Sequence, residues 1–222
     1  MKKILFAALA MAAAMSAQVA REANSGYQTE QQRKQMAASL GDSHREQTLK
    51  PVALVREMHI QAGMTVADIG TGVGYMLPFL SKAVGPTGRV IAEDIFDDFL
   101  AGARLKATEE GLGNVTFLKG TETDPMLPEG QVDVALALDV YHHFDYPEKM
   151  LAAIHKGLKD GGKLIVVEYY KRESAMPNGR ALTHVRLDMP DVIKEIEANH
   201  FHLLSEKEHI PNSQYILVLR KN

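Results

Sequence analysis

Val66-Ala67-Asp68-Ile69-Gly70-Thr71-Gly72-Val73-Gly74-Tyr75 is the stretch that decides the fold. A short β-prone run at 65–69 enters a turn with glycine at every second position. Leu77, Leu80 and Val84 then follow at helical spacing, so 75–84 reads as a helix. Glycine permits the positive φ of a tight strand-to-helix turn and lets a ligand approach the backbone. The unpaired N–H groups at the start of the helix face that ligand. Next comes a second strand, 89–94, ending in Glu93-Asp94, and Asp94 lies 20 residues beyond Gly74. A doubly wound fold sets an acid against ribose hydroxyls at that distance. The glycines are spaced G-x-G-x-G with Tyr75 next, not G-x-G-x-x-G. That spacing argues against a pyrophosphate cradle and for a nucleoside without phosphates.

Outward from this turn, strand and helix signals alternate. Pro51 suits the first turn of a helix whose apolar face is Val52, Leu54, Val55, Met58 and His59, closed by Gly63 as a left-handed cap. After the second strand, 97–110 is a helix ended by Gly111 and Gly113, 115–119 and 132–138 are strands, and 147–158 is a helix. Gly161-Gly162 precedes a fifth strand at 163–167. These strands are near-continuous apolar runs, as expected where helices cover both faces of a parallel sheet. The C-terminus departs from that rhythm: 191–199 is a helix, and the strands 203–208 and 215–219 are separated by only six residues, His209 to Gln214. That gap is too short for a parallel crossover, so the last strand runs antiparallel in a hairpin. The expected fold class is α/β: a doubly wound, mostly parallel seven-stranded sheet with an antiparallel C-terminal β-hairpin and helices on both faces.

The chain has 222 residues and a formal charge of −3, with no basic run. This excludes the electrostatic footprint of a nucleic-acid binder and favours a small-molecule substrate. Residues 1–20 read as a signal peptide. Lys2 and Lys3 precede an apolar run from Ile4 to Ala14, with cleavage expected after Ser16, Ala17 or Ala20. The run is short of the ~20 apolar residues of a membrane span, so export to a periplasmic or other extracytoplasmic space is expected, without membrane insertion once the leader is removed. Zero cysteines excludes disulfides and thiolate chemistry. Residues 21–50 are polar and Gln-rich and read as a loosely attached arm with helical tendency, ahead of one catalytic domain at 51–222.

Residues 52–220 resemble class I S-adenosylmethionine (SAM)-dependent methyltransferases in three features: the D-x-G-x-G-x-G turn as Asp68-Ile69-Gly70-Thr71-Gly72-Val73-Gly74, the acid-ended second strand, and the terminal hairpin. The resemblance implies SAM as cofactor and transfer of its methyl group to an acceptor. It places Gly70, Gly72 and Gly74 along the amino-acid part of SAM, with Asp68 orienting the turn and Asp94, ahead of Glu93, on the ribose. An acid after the third strand often holds the adenine in that family. Here Thr121 stands at that place, with Glu122 as a substitute. Phe96 packs either on the adenine or in the core.

The fourth strand runs into Asp139-Val140-Tyr141-His142-His143-Phe144. Residues just past the carboxyl ends of strands line the crevice of an open α/β sheet. His142 and His143 are therefore catalytic candidates, with a pKa range suited to taking a proton, or are structural residues bonded to the backbone. Asp139 is expected at the cofactor or substrate. Tyr141, His184 and Arg186 are candidates for the acceptor side, the last two from the loop after the fifth strand, with solvated loop charge as the alternative. His142, His143, His184 and Asp139 could converge on a metal, but none is expected, because adjacent histidines point in different directions in an extended chain and no i, i+4 pair is present. A non-catalytic SAM- or nucleoside-binding module and an NAD-dependent oxidoreductase are the rival readings.

Overall fold

The computed structural model describes residues 19–41 and 45–222, so the leader expected at 1–20 lies almost wholly outside the described residues. The chain forms α1 (Glu30–Leu40), α2 (Arg45–Leu49), α3 (Pro51–Met58), β1 (Thr65–Ile69), α4 (Leu77–Val84), β2 (Arg89–Asp94), α5 (Asp97–Glu109) and β3 (Val115–Lys119). It continues through β4 (Val132–Leu138), α6 (Pro147–Gly157), β5 (Leu158–Tyr169), α7 (Ala181–His184), α8 (Met189–Glu197), β6 (Phe201–Ile210) and β7 (Gln214–Lys221). The seven strands are ordered β3-β2-β1-β4-β5-β7-β6. Pairing is parallel through β5, and β7 is antiparallel to both β5 and β6. The expected architecture is therefore present. The three residues Pro211, Asn212 and Ser213 join β6 and β7, so the hairpin is tighter and its strands longer than the apolar pattern alone implied.

Alternate residues of the central strands feed two cores, which follows from the two-residue period of a strand. Val66, Val90, Leu136 and Ile165 pack with Leu54, Met58, Leu77, Leu80 and Val84 on the face covered by α3 and α4. Ile69, Ala135, Val166 and Leu217 pack with Leu151, Ile154, Val192 and Ile196 on the face covered by α6 and α8. The order reverses between β1 and β4, whose carboxyl ends part to leave the crevice of the sheet.

Three local expectations change. The cap of α3 is His59, in the left-handed region at φ 51°, and Gly63 (φ 89°) serves the following turn. The register of β5 shifts between Val132 and Val134 of its partner, so the strand begins at Leu158 and carries Gly161-Gly162 as an irregularity. The arm is not loosely attached. Ala20 and Ala23 are buried, the Ala20 N–H donates to Asp145 Oδ1 at 3.0 Å, and α1 opens with a reciprocal Thr29–Gln32 capping box. Among the described residues no helix is long and apolar enough to cross a membrane.

Candidate active site

The site begins at the turn after β1. Gly70, Gly72 and Gly74 have φ of 65°, 56° and 82°, which side chains with a Cβ rarely adopt. Space is also short there: a Cβ on Gly70 would lie 2.5 Å from Val140 Cγ2, and one on Gly74 would lie 2.7 Å from Leu77 Cδ1. Gly70 thus lets the β1 and β4 ends approach each other, and Gly74 lets the turn close onto α4. The turn is tied down by acids. Thr71 Oγ1 donates to Asp68 Oδ2 at 2.7 Å, the Gly70 N–H to Glu93 Oε2 at 3.1 Å, and the Gly72 N–H to Asp94 Oδ2 at 2.9 Å. Asp94 Oδ1 accepts the Phe96 N–H at 2.9 Å.

These contacts surround a cavity of about 510 Å³ at the crevice between β1 and β4. Asp68, the glycine turn, Glu93, Asp94, Phe96, Thr121, Glu122, Asp139 and His143 all line it. Tyr27, Asn24 and Arg33 of the arm close it from the other side. Tyr27 stacks nearly parallel to Phe96, ring centroids 6.2 Å apart, and meets His143 edge-on at 5.0 Å. Asn24 donates to Asp145 Oδ2, and Arg33 pairs with Asp98 at 2.7 Å. The arm is therefore part of the wall, a role its polar sequence did not announce. The signal was present only as isolated residues, Asn24, Tyr27 and Arg33, whose partners lie far along the chain.

The cavity wall is rich in carboxylates held away from water. Burial pushes the Asp68 carboxyl up to about 7 and Asp94 up to about 6, the backbone N–H groups of Phe96 and Gly72 partly offsetting the latter. Glu93 is pushed well above the usual carboxylate range by burial and by the neighbouring Asp94. Its Oε1 has no hydrogen-bond partner among the described residues. Asp139 is raised to about 7 by burial and by Glu168, against the opposing Arg45, whose guanidinium is 3.7 Å away. Asp139 has φ 53° and accepts from Gln214 Nε2 at 2.6 Å, so its unusual backbone is held by β7. Buried carboxylates raised by desolvation are a wall that a cationic ligand would stabilise.

Beyond Asp139 the chain does not stay extended. Tyr141–His143 is a 3-10 turn, and it sets the His142 and His143 rings 4.1 Å apart instead of on opposite sides. His142 is buried against Glu168, with Nδ1 2.6 Å from Oε2, and its Nε2 is 3.2 Å from His184 Nε2. His143 is the one of the pair on the cavity wall, with Nδ1 2.8 Å from Asn24 Oδ1. Burial and the neighbouring His142 and His184 push its pKa well below the usual histidine value. Burial, His142 and Arg180 lower His184 to about 4.

The structure thus brings together Asp68, Gly70, Gly72, Asp94, Glu122, Asp139 and His143, with His142 and His184 directly behind the last, while Gly74 faces Leu77 and Ala103 and not the cavity. It does not bring Tyr141 and Arg186 to the cavity. Tyr141 donates to Glu195 Oε1 at 2.6 Å, and Arg186 makes a two-pronged pair with the same carboxylate at 2.9 and 2.5 Å. That network ties α8 to the end of β4. Glu168 and the arm residues were missed by sequence reasoning: Glu168 ends an apolar strand as an ordinary acid, and only the fold turns it onto His142.

Residues 67–166 match the family described as a methyltransferase domain. The chain is 33% identical over 124 residues to the ubiquinone/menaquinone biosynthesis C-methyltransferase of Marinomonas sp. (strain MWYL1), and 31% identical over 111 residues to that of Psychromonas ingrahamii. The matches cover 55% and 50% of this chain and 49% and 44% of those proteins, so the chain spans about half the length of the curated relatives it matches. The structure of a SAM-dependent methyltransferase from Aquifex aeolicus superposes with a TM-score of 0.78 at 26% identity, covering 85% of this chain and 98% of that one. The [4+2]-cyclase SpnF shares the fold at TM-score 0.65 and 19% identity, covering 78% and 80%. The motif and the strand order agree with these matches: residues 67–166 are similar to a methyltransferase domain, and the fold is that of the SAM-dependent methyltransferase from Aquifex aeolicus.

Proposed function

We propose that the protein holds SAM in the β1–β4 cavity and catalyses transfer of its methyl group to a small-molecule acceptor. The observation that carries this reading is the joining of a glycine turn to a wall of desolvated carboxylates, Asp68, Glu93, Asp94 and Asp139. The residues fit the cofactor: SAM has a cationic sulfonium and an α-ammonium, and Asp68, Glu93 and Asp94 offer buried carboxylates to them, while Asp139 faces Arg45. When bound, SAM supplies an activated methyl group on that sulfonium.

The chain's own residues have separable tasks. Each Asp94 oxygen already accepts one backbone N–H, which fixes the carboxylate and leaves a lone-pair direction on each for a ribose hydroxyl. Gly70 and Gly72 allow the ligand to approach the backbone, and Gly74 lets the turn close onto α4. Phe96 offers a ring face, and Thr121 and Glu122 stand at the adenine end. Asp139 and His143 occupy the far wall and orient the acceptor, and positioning supplies much of the acceleration in such a transfer. The arm excludes water by covering the cavity through Tyr27 and Asn24. Residues 1–20 are proposed to direct export, which cell fractionation with the leader intact and deleted would test.

Calorimetric titration of the folded protein with SAM and with S-adenosylhomocysteine tests the reading. Saturable binding of both is expected; absence of binding by protein with native circular dichroism would rule it out.

A further inference from the structure

We propose that His142, His143 and His184 form a binding site for one divalent transition-metal ion of the zinc class, set in the wall beside the cavity. One ring nitrogen from each lies within 4.8 Å of the others, and two of the residues are buried. The rings come from separate segments, the turn after β4 and α7, so their convergence is made by the fold and not by a local repeat.

Three further features match the chemistry of a metal site. First, His142 Nε2 and His184 Nε2 are 3.2 Å apart. Two nitrogens each bound to a tetrahedral zinc at ~2.0–2.1 Å would be separated by roughly 3.3 Å. The third nitrogen must close by roughly 1.5 Å to complete the set, a swing of one imidazole ring.

Second, the outer ring nitrogens are engaged as metal-binding histidines require. Glu168 Oε2 is 2.6 Å from His142 Nδ1, and Asn24 Oδ1 is 2.8 Å from His143 Nδ1. An acceptor on Nδ1 fixes the tautomer with its proton there, leaving the Nε2 lone pair for the ion and raising its basicity.

Third, the Glu168 carboxylate, in contact with His142, offsets the charge of an ion. The opposing cation is Arg180, whose guanidinium nitrogen is 3.5 Å from His184 Nδ1; this residue is exposed and can turn outward when that nitrogen carries a proton. Three imidazoles leave at least one coordination position for water or a ligand atom, the composition of a catalytic rather than a closed structural zinc site.

This proposal does not depend on the methyl-transfer reading, and its test has no activity readout. Full-chain protein stripped with a chelator is titrated with Zn²⁺ and separately with Co²⁺. One equivalent of each is expected, with a raised Tm and with the visible bands of four- or five-coordinate cobalt bearing nitrogen ligands. His142→Ala, His143→Ala and His184→Gln should each abolish those bands, while His202→Ala, on β6, should not alter them. Glu168→Gln should weaken zinc binding by about 10–100-fold, the usual effect of losing an outer partner. His184→Gln is the variant least disruptive to folding, because α7 is a short helix outside the sheet, and native circular dichroism confirms that it can be read. Octahedral cobalt spectra, no stoichiometric binding, or binding that survives all three histidine substitutions would each overturn the proposal. The cluster would then be a hydrogen-bonded chain running from Arg180 through His184 and His142 to Glu168.

Discussion

The two walls of the cavity are built in opposite ways. The wall at the ends of β1 and β2 comes from one contiguous passage, 66–96, in which the backbone makes the turn and each acid is tied to it by a local hydrogen bond. The opposite wall draws on residues scattered over the chain: Asn24 and Tyr27 from the arm, Asp139 and His143 after β4, Glu168 near the end of β5, His184 on α7 and Gln214 on β7. A ligand common to a whole fold class can be held by one conserved geometry of backbone. An acceptor that differs from protein to protein is met by side chains that long-range packing brings together. Breaking the first wall should therefore damage folding and cofactor binding together, whereas breaking the second should tune binding and leave the fold intact.

The largest effect is expected at the backbone of the first wall. Gly70→Ala forces a Cβ into the left-handed region and to within 2.5 Å of Val140. The conformational term costs roughly 1–2 kcal/mol and the overpacking roughly 1–3 kcal/mol. Urea denaturation should show a loss of that summed order together with loss of S-adenosylhomocysteine binding. A variant of unchanged stability would mean that the turn is not held as described.

The carboxylates of the same wall make a pH prediction. Asp68 and Asp94 have folded-state values of about 7 and about 6, above an ordinary aspartate value of 3.8. The folded state thus binds more protons than the unfolded state between those limits, and stability falls as pH rises through pH 4–7. The ligand-free protein should be more stable near pH 5 than near pH 8, by an amount on the order of a few kcal/mol. Saturating SAM, as a cation, should flatten the slope. Asp68→Asn should remove part of it. A thermal-unfolding series whose stability rises across this window would refute the electrostatic account of the wall.

Asp94→Ala breaks the same wall at a side chain and should lower ligand binding and stability together. It removes the acceptor proposed for the ribose and frees the Gly72 and Phe96 N–H groups. Hydrogen bonds to a charged group are worth about 1.5–3 kcal/mol, so affinity for S-adenosylhomocysteine should fall by roughly 10–100-fold. Calorimetry showing wild-type affinity would reassign the ribose to another residue.

The same contrast explains what the sequence made legible. The succession of strands and helices, the antiparallel β7, the start of α3 at Pro51 and the positions of Asp68, Gly70, Gly72, Gly74 and Asp94 in the first turn and second strand are all written in short-range periodicity and turn chemistry. The convergence of His142, His143 and His184 is open to the sequence but argued against by an extended chain, which a 3-10 turn replaces. Tyr141 and Arg186 were placed on the acceptor side by proximity to the strand end, yet Glu195 of α8 draws both into a structural network. The arm was misjudged for a related reason. It has few apolar residues, but Ala20 and Ala23 fit tight gaps, and its polar side chains find partners at Asp98, His143 and Asp145.

The smallest effect, and the most direct probe of the second wall, is Tyr27→Ala. Tyr27 touches Phe96 and Phe99 on the cofactor side and His143 on the acceptor side, so it bridges the two walls. Aromatic pairs contribute roughly 0.5–1.5 kcal/mol beyond area burial. Removing this ring should weaken S-adenosylhomocysteine binding by roughly 2–10-fold, while urea unfolding of the main domain changes little. The amides of α1 should exchange with solvent faster, because their contact with α5 is partly anchored through that ring. The sheet strands should keep their protection, since neither core includes Tyr27. Hydrogen exchange separates two accounts of the arm: fast exchange confined to residues 19–41 identifies a cover that opens on its own, whereas exchange spreading into β1 and β2 would make the arm an inseparable part of the domain.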